Sequence, residues 1–267
     1  MNDLLSAFDW RSFAVVRRNA LVYLRNWRTA FIPPAMEPVI FFLAFGFGLA
    51  GYVESIAYQG QTIDYAAYIA PGLVAYTAFG TAYYEALYSA YVRMFYQKTW
   101  DGILATQVEL QHLVWGEILW AACRGFMNAT IVCLVLAGFS LAGLVELHLS
   151  MLPLLPFVGA FAGTAFAAFG LIFTAIVPGI DHMNYPVFLI GIPLGLLSNT
   201  YFPVASDHAV LQLLIELNPV YQLSESCRAL LLGASPAPLL KLAAVTLLYL
   251  LIFTTLAIRL CRKRILG

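Results

Sequence analysis

The most telling feature of this sequence is how little charge it carries. Only 10% of its 267 residues are Asp, Glu, Lys or Arg, against about 25% in an ordinary soluble domain. Fourteen basic residues balance fourteen acidic ones. A chain this long cannot cover a water-facing surface with so few charges, and its zero net charge gives no basic face for nucleic acid. Lysine is scarcest, present only as Lys98, Lys241 and Lys263. Lys98-Thr99 follows Phe95-Tyr96-Gln97, without the glycines that cradle phosphates in a P-loop. The chain is therefore not expected to hydrolyse ATP itself, and no cofactor is expected on it. Cysteine is sparse too. Cys123, Cys133, Cys227 and Cys261 are spaced as neither a zinc site nor a disulfide framework. HExxH, GxSxG and CxxC motifs are absent, and His112, His148, His182 and His208 are scattered, so a membrane metalloenzyme finds no support. No cleavable signal peptide is expected, since the first thirty residues hold no suitable apolar run.

What is abundant is apolar sequence: 62% of residues are hydrophobic and the mean hydropathy is +0.83. A helix needs about 20 mostly apolar residues to cross a bilayer. Six such runs occur, at 32–51, 71–95, 113–137, 152–177, 185–204 and 238–260. They are continuously apolar, unlike the alternating segments of a β-barrel. The expected fold is all-α: one polytopic membrane domain, residues 1–267, with six transmembrane helices.

Arginine and lysine near the span ends set the orientation. Arg11, Arg17, Arg18, Arg25 and Arg28 precede the first span, Arg262, Lys263 and Arg264 follow the sixth, and Arg93 and Lys98 flank the second-to-third loop. This asymmetry puts both termini and that loop in the cytoplasm. Residues 4–30 read as an amphipathic interfacial helix, with Phe13, Val16, Ala20, Tyr23 and Trp27 on one face and Arg11, Arg18 and Arg25 opposite, the pattern of a helix lying in the headgroup region. A helix packed on other protein is the alternative. Residues 205–237 are too apolar for a solvated loop, and Asn218-Pro219 breaks them in two. They read as two short re-entrant helices, or as an ordinary outer hairpin.

Ionisable residues inside spans are costly and mark functional positions. There are five: Glu37, Glu85, Arg93, Glu117 and Arg124. Glu37 follows Pro33-Pro34, so it suits a helix first turn, where the dipole favours an anion. At 1.5 Å per residue, antiparallel second and third spans bring Glu85 and Arg124 to within about 7 Å in depth. Arg93 and Glu117 both fall near the inner boundary. The expectation is two cross-helix pairs, Glu85–Arg124 and Arg93–Glu117; the alternative is four charges facing a water-filled cavity. Tyr84, Tyr88, Tyr91 and Phe95 recur at 4,3,4 spacing, either as packing or as the lining of a substrate path. Gly159-x-x-x-Gly163 is a close-packing signature.

Several segments together resemble a known family. They are Tyr68-Ile-Ala-Pro-Gly-Leu73, the run from Arg93 to Thr106, Gly116-Glu-Ile-Leu-Trp120, Tyr201-Phe-Pro203 and the run from Asn218 to Gly233. Their order along nearly the whole chain is similar to that in ABC type-2 exporter permeases, most of all those of nodulation-type lipo-oligosaccharide exporters. The resemblance implies a homodimer in the bacterial inner membrane that binds two copies of a separate ABC ATPase. ATP and Mg would sit in that partner. It also implies an ATPase-coupling loop over 98–112, here carrying Trp100, Asp101, Gly102, Ile103, Leu104, Thr106 and Gln107, with Trp100, Ile103 and Leu104 free to bury in the partner. The family usually has Thr-Pro where this chain has Thr106-Gln107. The implied function is ATP-driven export of an amphipathic lipid-linked or oligosaccharide substrate. The competing reading is a secondary carrier driven by an ion gradient; such carriers often show internal repeats and broken midplane helices, and no clear repeat relates the two halves of this sequence.

Overall fold

The computed structural model describes residues 6–26, 28, 31, 36, 39–49, 52–53, 55–58, 60–204, 208–233 and 237–266. The chain is built almost entirely from helices. α1 spans Trp10–Arg25, and Asp9 caps it by accepting from the Arg11 N–H at 2.9 Å. α2 (Tyr65–Tyr84) continues through two π-helical turns, Glu85–Ser89 and Val92–Tyr96. It ends at Lys98, whose positive φ of 51° starts a new direction for the short α3, Thr99–Leu104. α4 (Leu110–Leu141) and α5 (Leu155–Ile176) are long. Then come α6 (Asn184–Pro186), a π-helical turn Val187–Gly191, and α7 (Ile192–Leu196). α8 (Ala209–Leu217), α9 (Pro219–Leu231) and α10 (Ala237–Leu266) complete the chain.

Among the described residues, three helices are long and apolar enough to cross a membrane: Leu110–Leu141, Leu149–Ile176 and Ala237–Ile265, with mean hydropathies of 1.7, 1.8 and 2.1. α2 is long enough, but its tyrosines lower its hydropathy. Glu37 and residues 32–35, 38, 50 and 51 of the expected first span fall outside the described residues, and Phe42–Gly48 within it winds as a π-helix. The helix expected over 185–204 is shorter than that range, since α7 ends at Leu196 and Asn199 turns with φ 57°.

One departure from an all-α fold is a two-stranded antiparallel hairpin. β1 (Ser55–Tyr58) pairs with β2 (Gln61–Asp64), with Tyr58 opposite Gln61. Gly60 in the turn has φ 79°, which suits a tight hairpin connection.

α2 is the centre of the molecule and is buried along most of its length. α4 and α5 flank it. The Gly159/Gly163 seam of α5 lies on α2: a Cβ at Gly159 would stand 2.9 Å from the Ala78 Cβ, and one at Gly163 would stand 3.3 Å from the Ala82 Cβ. Small residues thus let these backbones approach closely, as membrane helices require when burial from water does not drive packing. The apolar interior divides in two. One cluster surrounds the start of α2 and α9; the other gathers α1, α3, the start of α4 and the ends of α5 and α10.

Ser12, Val15 and Asn19 are the face that α1 buries against the protein, whereas Trp10, Phe13, Leu21 and Leu24 are exposed. Gly116 of α4 admits that face, because a Cβ there would stand only 2.5 Å from the Val15 Cβ. α8 and α9 do break at Asn218-Pro219, where the Asn218 side chain accepts from the Val220 N–H at 2.9 Å.

Candidate functional site

Four of the five charges expected within the spans, Glu85, Arg93, Glu117 and Arg124, meet at the α1 end of α2. Arg93 lies between two carboxylates. Its Nη1 donates to Glu85 Oε1 at 2.8 Å, while its Nε and Nη2 donate to the two oxygens of Glu117 at 3.0 and 2.5 Å. Arg124 Nη1 donates to the other Glu85 oxygen at 2.5 Å. The expected pairs Glu85–Arg124 and Arg93–Glu117 are therefore both in contact, and Arg93 links them into a single network. The Glu117 and Glu85 side chains are only 1% and 3% exposed, and those of Arg93 and Arg124 11% and 18%.

Neighbouring elements complete the network. Trp120 Nε1 donates to Glu85 at 2.9 Å, Trp100 Nε1 to Glu117 at 3.2 Å and Asn19 Nδ2 to Glu117 at 3.4 Å. The Arg124 guanidinium lies 4.4 Å from the centroid of the Tyr23 ring. α1, α2, α3 and α4 are thus tied at one point.

The π-helical turns explain how Glu85 and Arg93 share a groove. Eight residues along an ideal α-helix leave two side chains about 80° apart. The wider turns at Glu85–Ser89 and Val92–Tyr96 change that phase. Thr174 of α5 supports the first of them, its hydroxyl donating to the carbonyls of Ala86 and Leu87 at 2.7 and 3.0 Å. π-turns of this kind recur at functional sites.

Two clefts border the network. The larger, about 530 Å³, is lined in part by Tyr76, Thr81, Tyr84, Tyr88, Arg124 and Asn128. The smaller, about 300 Å³, shares Glu85, Tyr88, Ser89 and Arg124 with it and adds Arg18, Tyr23 and Arg93. The aromatic stripe expected along α2 is divided. Tyr84 and Tyr88 line the larger cleft, but Tyr91 and Phe95 do not. Tyr91 is buried, donates to the Pro178 carbonyl at 3.3 Å and packs on Phe95 at 4.4 Å. Phe95 in turn carries the Arg264 guanidinium 4.8 Å from its ring. The π-turn Glu85–Ser89 lies between Tyr84 and Tyr91 and changes the phase between them, which a strict 3.6-residue spacing does not anticipate.

The segment expected to couple to an ATPase folds as α3 and the turn after it. Asp101, Gly102, Thr106 and Gln107 are exposed, and Ile103 and Leu104 are half-buried. Trp100 is the correction: it is fully buried within this chain, held by Glu117, and is not available to a partner. Thr106 organises the turn in the position where proline is absent next door: its hydroxyl donates to the Ile103 carbonyl at 2.7 Å and accepts from the Val108 N–H at 3.3 Å. α1 reaches this segment through His112–Asp9 at 3.4 Å and Arg11–Glu109 at 3.6 Å.

A second buried ionic cluster lies at the hairpin end of α2, and sequence reasoning missed it. Arg228 is fully buried and pairs with Glu225. It also donates to the carbonyls of Tyr68 at 3.3 Å and Asn199 at 2.6 Å. Its guanidinium lies 4.0 and 5.3 Å from the ring centroids of Tyr68 and Tyr58. Tyr58 of the hairpin donates to Glu225 at 2.5 Å, and Asn199 Nδ2 does so at 3.2 Å. Burial and the hydrogen bond to Glu225 push the Tyr58 phenol well above the usual tyrosine range, so it stays a donor at neutral pH. The available signal was the i,i+3 spacing of Glu225 and Arg228 within the amphipathic stretch after Asn218-Pro219.

Among the described residues no group of His, Cys, Asp or Glu could hold a metal ion, and the α1-end carboxylates are each paired with arginine.

Comparison with known proteins accords with a transport role. Residues 12–232 match the ABC-2 type transporter family. The chain is 32% identical over 229 residues to nodulation protein J of Sinorhizobium fredii, covering 86% of this chain and 84% of that protein. It is 30% identical over 260 residues to nodulation protein J of Rhizobium leguminosarum bv. trifolii, covering 97% and 95%. With three helices able to cross a bilayer and a family match over most of its length, the chain belongs to the ABC-2 type transporter family and is a multi-pass membrane permease.

Proposed function

We propose that this chain is the six-span permease subunit of an ATP-driven exporter in the bacterial inner membrane, with both termini cytoplasmic. Two copies would form the membrane channel, and two copies of a separate ABC ATPase would bind α3 and its turn. ATP closure of the ATPase pair would move α3, and an amphipathic lipid-linked or oligosaccharide substrate would pass outward. The charge asymmetry of the loops supports this orientation.

The observation that carries the reading is the joint at Glu85, Arg93, Glu117 and Arg124. Trp100 of α3 donates to the same carboxylate that Arg93 grips, so a push on α3 is delivered to α2 beside the larger cleft. ATP must favour one arrangement over the other, because a ligand with equal affinity for both states shifts nothing.

The test is ATPase activity in lipid nanodiscs with and without the partner ATPase. Leu104→Asp and Ile103→Asp, on the half-buried face of α3, should abolish both co-purification and stimulated hydrolysis. Trp100→Phe should weaken stimulation while the complex still forms, because Trp100 acts inside the chain. Transport that follows an ion gradient with no ATPase bound would replace this reading with a secondary carrier.

A further inference from the structure

α1 turns two unlike faces to its surroundings. Ser12, Val15 and Asn19 are buried against the protein. On the opposite side Trp10, Phe13, Arg17 and Leu21 recur at 3,4,4 spacing and are all exposed, which puts them on one helical stripe. With Arg18 and Val22 at its edge, the stripe borders a furrow of about 640 Å³ whose lining residues all belong to α1.

The charge on this side of the helix is unbalanced. α1 contains no acidic residue. Arg11, at its start, has Asp9 and Glu109 beside it. The hydrogen bonds of Arg18 go to neutral groups instead, to Asn19 Oδ1 at 2.9 Å and to Thr99 Oγ1 at 3.4 Å. Arg18 also borders the smaller cleft with Arg93 and Arg124, and those two arginines already take up Glu85 and Glu117. Three arginines therefore share two carboxylates, and exposed Arg17 adds a fourth positive charge next door. Burial and the nearby Arg93 hold Arg18 below the usual arginine range, as an excess of positive charge does.

The ligand must answer both the charge and the apolar stripe. A free phosphate would match Arg17 and Arg18 and leave Trp10, Phe13 and Leu21 in contact with water. A neutral lipid would cover those side chains and leave the charge unbalanced. An anionic phospholipid does both, because basic and apolar residues on one interfacial helix add electrostatic attraction to apolar burial. We infer that the outward face of α1 is a binding site for one anionic phospholipid of the surrounding bilayer, its phosphate held by Arg17 and Arg18 and an acyl chain lying on Trp10, Phe13 and Leu21. The site is independent of what drives transport and of what is transported.

The test is quenching of tryptophan fluorescence in phosphatidylcholine nanodiscs, because Trp10 borders the furrow. A small fraction of the lipid carries brominated chains, on phosphatidylglycerol in one series and on phosphatidylcholine in the other. Brominated phosphatidylglycerol should quench at about tenfold lower fraction, as two arginines at a membrane surface imply. Trp10→Phe should remove most of that difference. Arg18→Gln should cut the preference about fivefold. Arg17→Gln, at an exposed position, should do the same and keeps the test open if Arg18→Gln does not fold. Arg25→Gln, exposed at the end of α1 and outside the furrow, should leave the preference intact. Glycerol 3-phosphate in the buffer should not displace the brominated lipid. Equal quenching by the two lipids, or a preference that outlasts Trp10→Phe or both arginine changes, would overturn the site. So would an equal loss with Arg25→Gln, which means diffuse attraction to a basic helix, or displacement by glycerol 3-phosphate, which means a free-phosphate site. Loss of the quenching when the partner ATPase is added would assign this face to a protein and overturn the lipid site as well. No arm of the test uses ATP or a transported substrate, so the exporter reading stands or falls separately.

Discussion

The two ends of α2 each bury an ionic network, and the two are built on opposite plans. At the hairpin end, Arg228 has no exposed side-chain surface, one carboxylate partner and two backbone carbonyls. At the α1 end, two arginines and two glutamates share four contacts, beside clefts and with the arginines partly exposed. In the first, one arginine and one carboxylate carry all the charge, so losing Arg228 leaves Glu225 without a counter-charge. In the second, Glu85 is held by both Arg93 and Arg124, so one contact can be released while charge stays balanced. A buried pair is weak evidence of net stability, yet removing one partner is strongly destabilising because the other charge is left buried. The design thus separates a fixed clamp from a joint with redundant partners, and the joint is the one that adjoins the segment proposed to receive the ATPase stroke.

Arg228→Met gives the largest expected effect. It leaves Glu225 with only Tyr58 and Asn199 as donors, and a loss of about 3–5 kcal/mol is expected. The measurement is thermal unfolding in nanodiscs, read as the midpoint shift. The double change Arg228→Met with Glu225→Leu should recover most of that loss. Arg124→Met at the other end should be milder, about 1–3 kcal/mol, because Glu85 keeps Arg93 and Trp120. Equal losses for Arg228→Met and Arg124→Met would break the distinction between clamp and joint. A sharper version measures transport: Arg124→Met should reduce stimulated ATPase activity by more than its small stability loss explains, whereas a variant in the clamp should lower activity only in step with folded protein.

How much of this was legible in the sequence depended on whether a feature was set locally. Counting residues down one helix and up its neighbour put Glu85 within reach of Arg124, since rise per residue is nearly constant. Asn218-Pro219 announced a break because proline lacks an N–H and asparagine caps a helix. The π-turns were not legible. They are supported by Thr174, 88 positions away from Ala86, and no local pattern encodes that. Missing them split the aromatic stripe, leaving Tyr84 and Tyr88 on the cleft and carrying Tyr91 and Phe95 off it. Trp100 was misjudged for a related reason: a tryptophan in a polar loop reads as exposed until Glu117, 17 residues on, is seen to hold its indole N–H. The face that α1 buries against the protein turned on the absence of a side chain at Gly116. The burial of Arg228 was not legible either, because it arises only when α9 docks on α2.

The smallest effect tests how the clamp is closed by the hairpin. Tyr58→Phe removes one hydrogen bond to Glu225 while Arg228 and Asn199 still hold that carboxylate, so about 1 kcal/mol is expected. Its pH dependence is more diagnostic than its size. The folded protein raises the Tyr58 phenol above its unfolded value, first through burial and then through Glu225. A raised group contributes stability that is intact below its unfolded pKa, about 10 for tyrosine, and that is lost as pH climbs from there toward the folded value. Wild type and Tyr58→Phe should therefore differ by a constant amount from pH 6 to about pH 9, and the gap should narrow at higher pH as the wild-type phenol becomes costly to keep protonated. A gap that stays constant into alkaline conditions would mean that the hairpin does not close on Glu225, and that the clamp consists of α9 and α2 alone.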